Sequence, residues 1–143
     1  MAAYIDTSAL AKWYLNESRS DDFEAYLSQV DRPAISSLTV VEIRSLLSRH
    51  RRMGHLAAEK EQEIFALFQQ DLEERLISLL PVRDRDVVAA AHLLGRLAEH
   101  PLRTLDAIHL ILCQAAGLTE LATADKIMAI PAADLGLEVV RFD

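Results

Sequence analysis

The sequence predicts an α/β fold: a three-layer sandwich in which a short, mostly parallel central sheet of four or five strands is flanked by helices. Short β-prone runs alternate with amphipathic helical stretches along the chain, as parallel strands joined by crossover helices require. With 143 residues, 51% of them apolar, the chain is long enough to bury a substantial core without disulfides or a structural metal. No repeat, low-complexity tract or Pro/Gly-rich linker interrupts the alternation, so one domain over 1–143 is expected.

Tyr4-Ile5 is a short strand candidate and Ala9 to Leu15 reads as helix. Ser20-Asp21-Asp22 marks the next helix start, with Phe23, Tyr26, Leu27 and Val30 spaced along one buried face. Pro33 to Ser36 is the second strand, Pro being tolerated at its first position. Thr39-Val40-Val41-Glu42 has the capping-box pattern, opening a helix to about Arg52 that Gly54 stops. Leu56 to Glu74 is amphipathic, with Ile64, Leu67, Phe68 and Leu72 on one side. Ile77 to Val82 is a weak third strand, and Asp84 to Ala98 a helix with Val87, Ala90, Ala91 and Leu94 as its stripe. Thr104 is expected to cap the most hydrophobic helix, Leu105 to Ala116, which Gly117 ends. Leu121 to Thr123 is a strand, Asp125 caps a short helix, and Glu138 to Phe142 is the last strand.

The composition excludes several classes. Cys113 is the sole cysteine, which rules out a disulfide framework or a multi-cysteine zinc site within one chain. The start of the chain lacks a basic segment followed by an apolar one, and no apolar run suffices to span a bilayer. A cytoplasmic location with no membrane partner is therefore expected. The formal charge of −7 does not favour phosphate binding through Lys and Arg, but a bound cation inverts the local field over an acidic site. The four glycines form no phosphate-cradling loop. A phosphotransferase with an aspartyl nucleophile would need a second acid where Ser8 stands, and a receiver domain would need paired acids at the end of the first strand and a Lys on a late strand.

Asp6, Glu42, Asp106 and Asp125 each fall where a helix is expected to begin, and Asp6 and Asp125 closely follow β-like runs. Singly, each has a structural explanation: Asp is a favoured N-cap worth ~1 kcal/mol, and an acid in a first turn suits the helix dipole. Together they point elsewhere. Asp106 heads a helix that is otherwise almost wholly apolar, an expensive position for an unpaired carboxylate. A parallel sheet carries the residues after its strands to one edge, where such folds bind ligands. Carboxylates gathered there repel one another and attract a hard, oxygen-seeking cation. Ser8 and Thr123, each two residues from an acid, are candidates to orient the carboxylates or a metal-bound water.

The motifs Tyr4-Ile5-Asp6-Thr7-Ser8-Ala9-Leu10, Ser37-Leu38-Thr39-Val40-Val41-Glu42-Ile43, Leu102-Arg103-Thr104-Leu105-Asp106-Ala107-Ile108-His109-Leu110 and Thr123-Ala124-Asp125-Lys126 follow in order over residues 4–142. In this the chain resembles the PIN-domain ribonucleases, most closely the VapC-type toxins of toxin–antitoxin pairs. The resemblance implies a PIN-like fold and a Mg²⁺- or Mn²⁺-dependent endoribonuclease acting on structured RNA. Its acidic quartet would be Asp6, Glu42, Asp106 and Asp125, with Thr123 and Ser8 lining the same site. A cognate VapB-like antitoxin and a homodimer are implied as partners. Two features depart from the family: Lys126, Ile127 and Met128 stand where some relatives have a further acid, and Pro131 predicts a shortened helix. A non-catalytic PIN-like domain that binds RNA or protein, and a housekeeping RNA-processing nuclease, are the alternative readings.

His109 lies three residues after Asp106, on the same helix face. A packed, hydrogen-bonded core histidine is expected there rather than a ligand for a hard cation. Arg103 and Lys126, adjacent to two of the acids, are positioned for phosphate contacts or for pairing with Asp106 and Asp125. Arg44, Arg49, His50, Arg51 and Arg52 form the only basic cluster. A solvated face or a contact for an acidic partner is expected of it ahead of an RNA track. Trp13 and Tyr14 are expected in core or antitoxin-facing packing, and Phe65, Leu67 and Phe68 in the core or along a groove for a partner helix.

Overall fold

A computed structural model describes residues 1–143. Five strands, β1 (Ala2–Ile5), β2 (Arg32–Ser36), β3 (Ser78–Leu80), β4 (Glu120–Thr123) and β5 (Glu138–Arg141), form one sheet in the order β3-β2-β1-β4-β5. Every pairing is parallel, so the sheet is wholly rather than mostly parallel. The helices are α1 (Thr7–Tyr14), α2 (Ser20–Leu27), α3 (Ser37–Arg52), α4 (Ala58–Glu73), α5 (Asp84–Arg96), α6 (Thr104–Ala115) and α7 (Lys126–Asp134).

The period of two along each strand divides the core between the two faces of the sheet. Ala3, Ile5, Ile35 and Ala122 pack with Leu10, Phe23, Ile43, Leu47, Ile64 and Phe68 from α1 to α4. Tyr4 and Leu121, one residue out of phase, pack with Leu93, Ala107, Leu110, Leu112 and Met128 from α5 to α7. Helices on both faces make the predicted three layers. No helix is long and apolar enough to cross a membrane.

From β1 the chain crosses to β2 on one side, and β4 returns to pair with β1 on the other. The carboxyl ends of β1 and β4 therefore flank the point where strand order reverses, the crevice position of open parallel sheets. The Asp6 amide donates to the Ala122 carbonyl at 2.9 Å, continuing the ladder one residue past β1.

Several boundaries differ from the sequence expectation. α3 begins at Ser37 directly from β2, so Thr39 is inside the helix and Glu42 lies in its second turn, free of the predicted capping box. Arg103, not Thr104, is the N-cap of α6, and its backbone N–H donates to Asp106 Oδ2 at 3.2 Å. Pro131 does not shorten α7, which passes through it to Asp134; the helix spends three further residues beyond the missing amide. Gly117 does end α6: at φ +71° it takes the left-handed turn, and the Leu118 amide closes onto the Cys113 carbonyl at 3.1 Å.

Candidate active site

Asp6, Glu42, Asp106 and Asp125 line one open cleft of about 740 Å³ at the switch point, together with Ser8, Thr7 and Arg103. β1 delivers Asp6, α3 presents Glu42, α6 opens on Asp106, and β4 leads to Asp125. Caps have no reason to converge on one cleft, so helix capping does not account for the set. Asp125 caps with its side chain, accepting from the Ile127 amide at 2.9 Å, and Asp106 accepts the Arg103 N-cap amide at 3.2 Å, whereas Glu42 caps nothing. Asp6 stands at the N-cap of α1 without a capping bond.

Asp6 Oδ2 instead accepts from the Ser8 hydroxyl at 2.6 Å and from the Thr123 hydroxyl at 2.9 Å. Thr123 Oγ1 accepts from the Asp125 amide at 3.0 Å, and Ser8 Oγ accepts from the Ala124 amide at 2.9 Å. The two hydroxyls thus tie the β1 end to the β4 end, and a serine and a threonine two residues from each acid suffice to build the tie. Burial holds the Asp6 carboxyl above its ordinary range. The charge of His109 and the two hydroxyl donors work against that rise, and the nearby Glu42 adds to it.

Glu42 accepts from Thr7 Oγ1 at 2.8 Å and pairs with His109 Nε2 at 2.5 Å. Burial opposes its ionisation, but the hydrogen bond and charge of His109 outweigh burial and hold Glu42 below the usual range. His109 is buried and bonds through Nδ1 to the Tyr4 hydroxyl at 2.7 Å. It is the packed, hydrogen-bonded histidine expected, yet it belongs to the site as well, since Asp6 Oδ1 lies 3.8 Å from Nε2. The roles of Thr7 and Tyr4 carry no sequence signal beyond their proximity to Asp6.

Arg103 spans the other pair. Its Nε and Nη2 donate to Asp106 at 2.8 and 3.3 Å, and Nη2 also bonds Asp125 Oδ2. Lys126 is exposed in an adjoining groove beside Asp125 and Ile127. No three acidic or histidine side chains close on one point as they stand, with the Arg103 guanidinium lying between Asp106 and Asp125. The donor set itself suits a hard divalent cation: four carboxylates, two hydroxyls and an open cleft.

Two members of the basic cluster on α3 pair within the fold, and a third, Arg49, lines the acidic cleft. Arg44 and Arg51 both pair with the buried Glu61 of α4, and the Arg44 guanidinium lies 4.9 Å over the Phe65 ring. Tyr14 packs edge-on against Phe68 and bonds Asp71 through its hydroxyl at 2.6 Å, whereas Trp13 and Leu67 are exposed.

A parallel α/β sandwich with an acidic, oxygen-rich cleft at its switch point is the architecture of a metal-dependent phosphodiesterase class. The PIN domain family model matches residues 3–133. Ribonuclease VapC46 of Mycobacterium tuberculosis is 34% identical over 142 residues, covering 97% of this chain and 96% of that protein. The chain belongs to the PIN-domain family, among its VapC-type ribonucleases. Its fold is similar to that of Mycobacterium tuberculosis VapC20, a sarcin–ricin loop cleaving toxin, at TM-score 0.72, 20% identity and coverage of 97% and 98%. It is also similar to a chain of FitAcB from Neisseria gonorrhoeae, at TM-score 0.68, 16% identity and coverage of 96% and 95%. Nucleases of this family are metal-dependent.

Proposed function

We propose that the chain is a Mg²⁺-dependent endoribonuclease, with Mn²⁺ as a substitute, that hydrolyses phosphodiesters in structured RNA as the toxin of a toxin–antitoxin pair. The observation that carries this reading is one cleft shared by Asp6, Glu42, Asp106 and Asp125 in a chain 34% identical to a named ribonuclease. A VapB-like antitoxin is the proposed partner, supported by neighbours solved as VapBC and FitAB complexes. A homodimer is the proposed assembly.

The four carboxylates would hold the cation, which when bound supplies a Lewis acid and an acidified water for attack on phosphorus. Every other part is played by the chain. Ser8 and Thr123 fix the Asp6 carboxylate by donating to one of its oxygens. His109, backed by the Tyr4 hydroxyl, keeps Glu42 ionised and oriented. Arg103 and Lys126, with Arg49 on the wall of the acidic cleft, are the cationic groups available to phosphate oxygens beside the acids.

Incubation of the purified protein with structured RNA under Mg²⁺, Mn²⁺ or excess chelator, with mapping of product ends, tests the proposal. Metal-dependent 5′-phosphate and 3′-hydroxyl ends are expected, and Asp106→Asn should abolish them while remaining folded. A 2′,3′-cyclic phosphate, full activity in chelator, or undiminished cleavage by Asp106→Asn would overturn it.

A further inference from the structure

Asp106 is engaged three times by one residue. The Arg103 backbone N–H and Nε both bond its Oδ2, and Nη2 bonds its Oδ1. The same Nη2 reaches Asp125 Oδ2. A planar guanidinium suits such a bridge, because its donors diverge in a fixed fork that matches carboxylate oxygens. The two carboxylates are sheltered, at 9% and 20% exposure, but the Arg103 side chain is 59% exposed. Asp106 and Asp125 are the only partners of its head group in ion pairs and hydrogen bonds. Arg103 also borders both the acidic cleft and the adjoining groove that contains Lys126. Its exposed side chain thus has open space beside it while its backbone is fixed at the N-cap of α6.

A cation bound by Asp106 and Asp125 needs the oxygens the guanidinium now occupies, and the two charges would repel at such separations. We infer that Arg103 is the resident counter-ion of this site: it holds Asp106 and Asp125 together in the metal-free protein, and a divalent cation displaces its guanidinium toward solvent. The inference rests on the reading of the four acids as metal ligands. Metal affinity is then the outcome of a competition written into the chain, and Arg103 is a positioning residue whose removal tightens metal binding while loosening the empty site.

The test is Mn²⁺ binding to the full chain, followed by calorimetry and by the electron paramagnetic resonance of free Mn²⁺, with thermal melts to establish that each variant is folded. Arg103→Gln is expected to bind Mn²⁺ about three- to tenfold tighter, the scale of a partly exposed bidentate ion pair. Arg103→Lys, which keeps the charge and loses the fork, should fall between it and the wild type. Lys126→Gln removes the same charge from a residue that touches neither acid, and should change affinity by less than about twofold. No tightening in Arg103→Gln, or equal tightening in Lys126→Gln, would overturn the inference, the latter by tracing the effect to the general field. The Arg103 Nε–H resonance of the wild type should also shift as Mg²⁺ saturates the site, and a resonance unmoved at saturation would overturn it too. Asp106→Asn separates the two levels: if it leaves Mn²⁺ affinity unchanged, the metal-site reading itself fails and the inference with it. If it weakens binding while Arg103→Gln does not tighten it, the counter-ion role alone is lost.

Discussion

Glu42 Oε1 and His109 Nε2 lie 2.5 Å apart, though 67 positions separate them in sequence. A carboxylate only accepts, so Nε2 carries a proton whatever the charge of the ring. Nδ1 faces the Tyr4 hydroxyl at 2.7 Å; it accepts from Tyr4 when the ring is neutral and donates to it when the ring is charged. Burial disfavours the imidazolium, but Glu42, Asp6 and Asp106 outweigh burial and raise its pKa above the ordinary 6.5. The acid cluster of the metal-free protein is thus partly neutralised from inside the fold by His109, and at its rim by Arg103.

The stability of the metal-free protein should fall as pH rises past neutrality. His109 binds its proton more tightly folded than unfolded, so its contribution is complete below 6.5 and is lost as pH climbs through the higher folded value. Asp6, also raised, contributes the same sign from 3.8 upward. Glu42 is lowered, so its contribution is complete above 4.5 and is lost only as pH falls through its lower folded value. Thermal melts in chelator from about pH 6 to 9 should show a declining Tm, with a shallower decline in His109→Gln. A flat wild-type profile, or the same slope in the variant, contradicts the ion pair.

Asp6→Asn should trade activity for stability. The carboxylate is buried, and its raised pKa means that the ionised form is held at a cost. The amide removes the charge, and its oxygen in the place of Oδ2 still accepts from both Ser8 and Thr123. A Tm rise of a few degrees in chelator is expected, about what 1 kcal/mol brings in a chain of this size, together with loss of RNA cleavage. A lower Tm would mean that the hydroxyl bonds to the anion outweigh its desolvation.

The elements were legible in the sequence because each has a strong local signal. The apolar stripe of α4 and the terminal glycine of α6 are such signals, and an alternating order of strands and helices leaves few topologies. Asp6 and Asp125 could be placed at one edge because the residues after parallel strands share it, whereas Glu42 and Asp106 stand on helices and were singled out by the order of the motifs. What escaped depends on pairings without sequence periodicity. Glu42 looked like a capping-box partner of Thr39 because the junction of β2 with α3 has no linker to mark where the helix starts. Arg44 and Arg51 looked like an exposed basic face because their partner Glu61 sits on another helix, at a position that reads as polar surface. Pro131 looked like a stop, although a helix that ends a few residues later sacrifices only one amide bond to keep it.

Thr123→Val tests the tie between the two strand ends. The hydroxyl donates to Asp6 and accepts from the Asp125 amide, and Thr123 is buried. Valine keeps the shape while leaving that amide without its acceptor, a loss of about 1–3 kcal/mol. Urea denaturation should register that loss, and Mn²⁺ affinity should drop with it because Asp6 and Asp125 are no longer held in register. Thr123→Ser should restore both. Unchanged metal affinity in the valine variant would separate the hydroxyl from the metal site.

Glu61→Ala asks whether the basic cluster of α3 serves the fold, as its pairing suggests. Glu61 is 7% exposed and receives Arg44 and Arg51 from the facing helix, so alanine strands two cations at a helix–helix contact. Arg51 is 55% exposed and Arg44 only 35%; most of the effect should therefore travel through Arg44, which also loses the brace that keeps it over Phe65. A loss of about 1–2 kcal/mol is expected, lowering Tm by about 2–8 °C. Arg44→Ala should cost nearly as much, and the double variant little more than either single one, the non-additivity of a shared contact. Cleavage per folded molecule, measured well below Tm, should be unchanged in Glu61→Ala. If activity falls while Tm holds, the cluster acts on RNA after all, and its pairing with α4 is incidental.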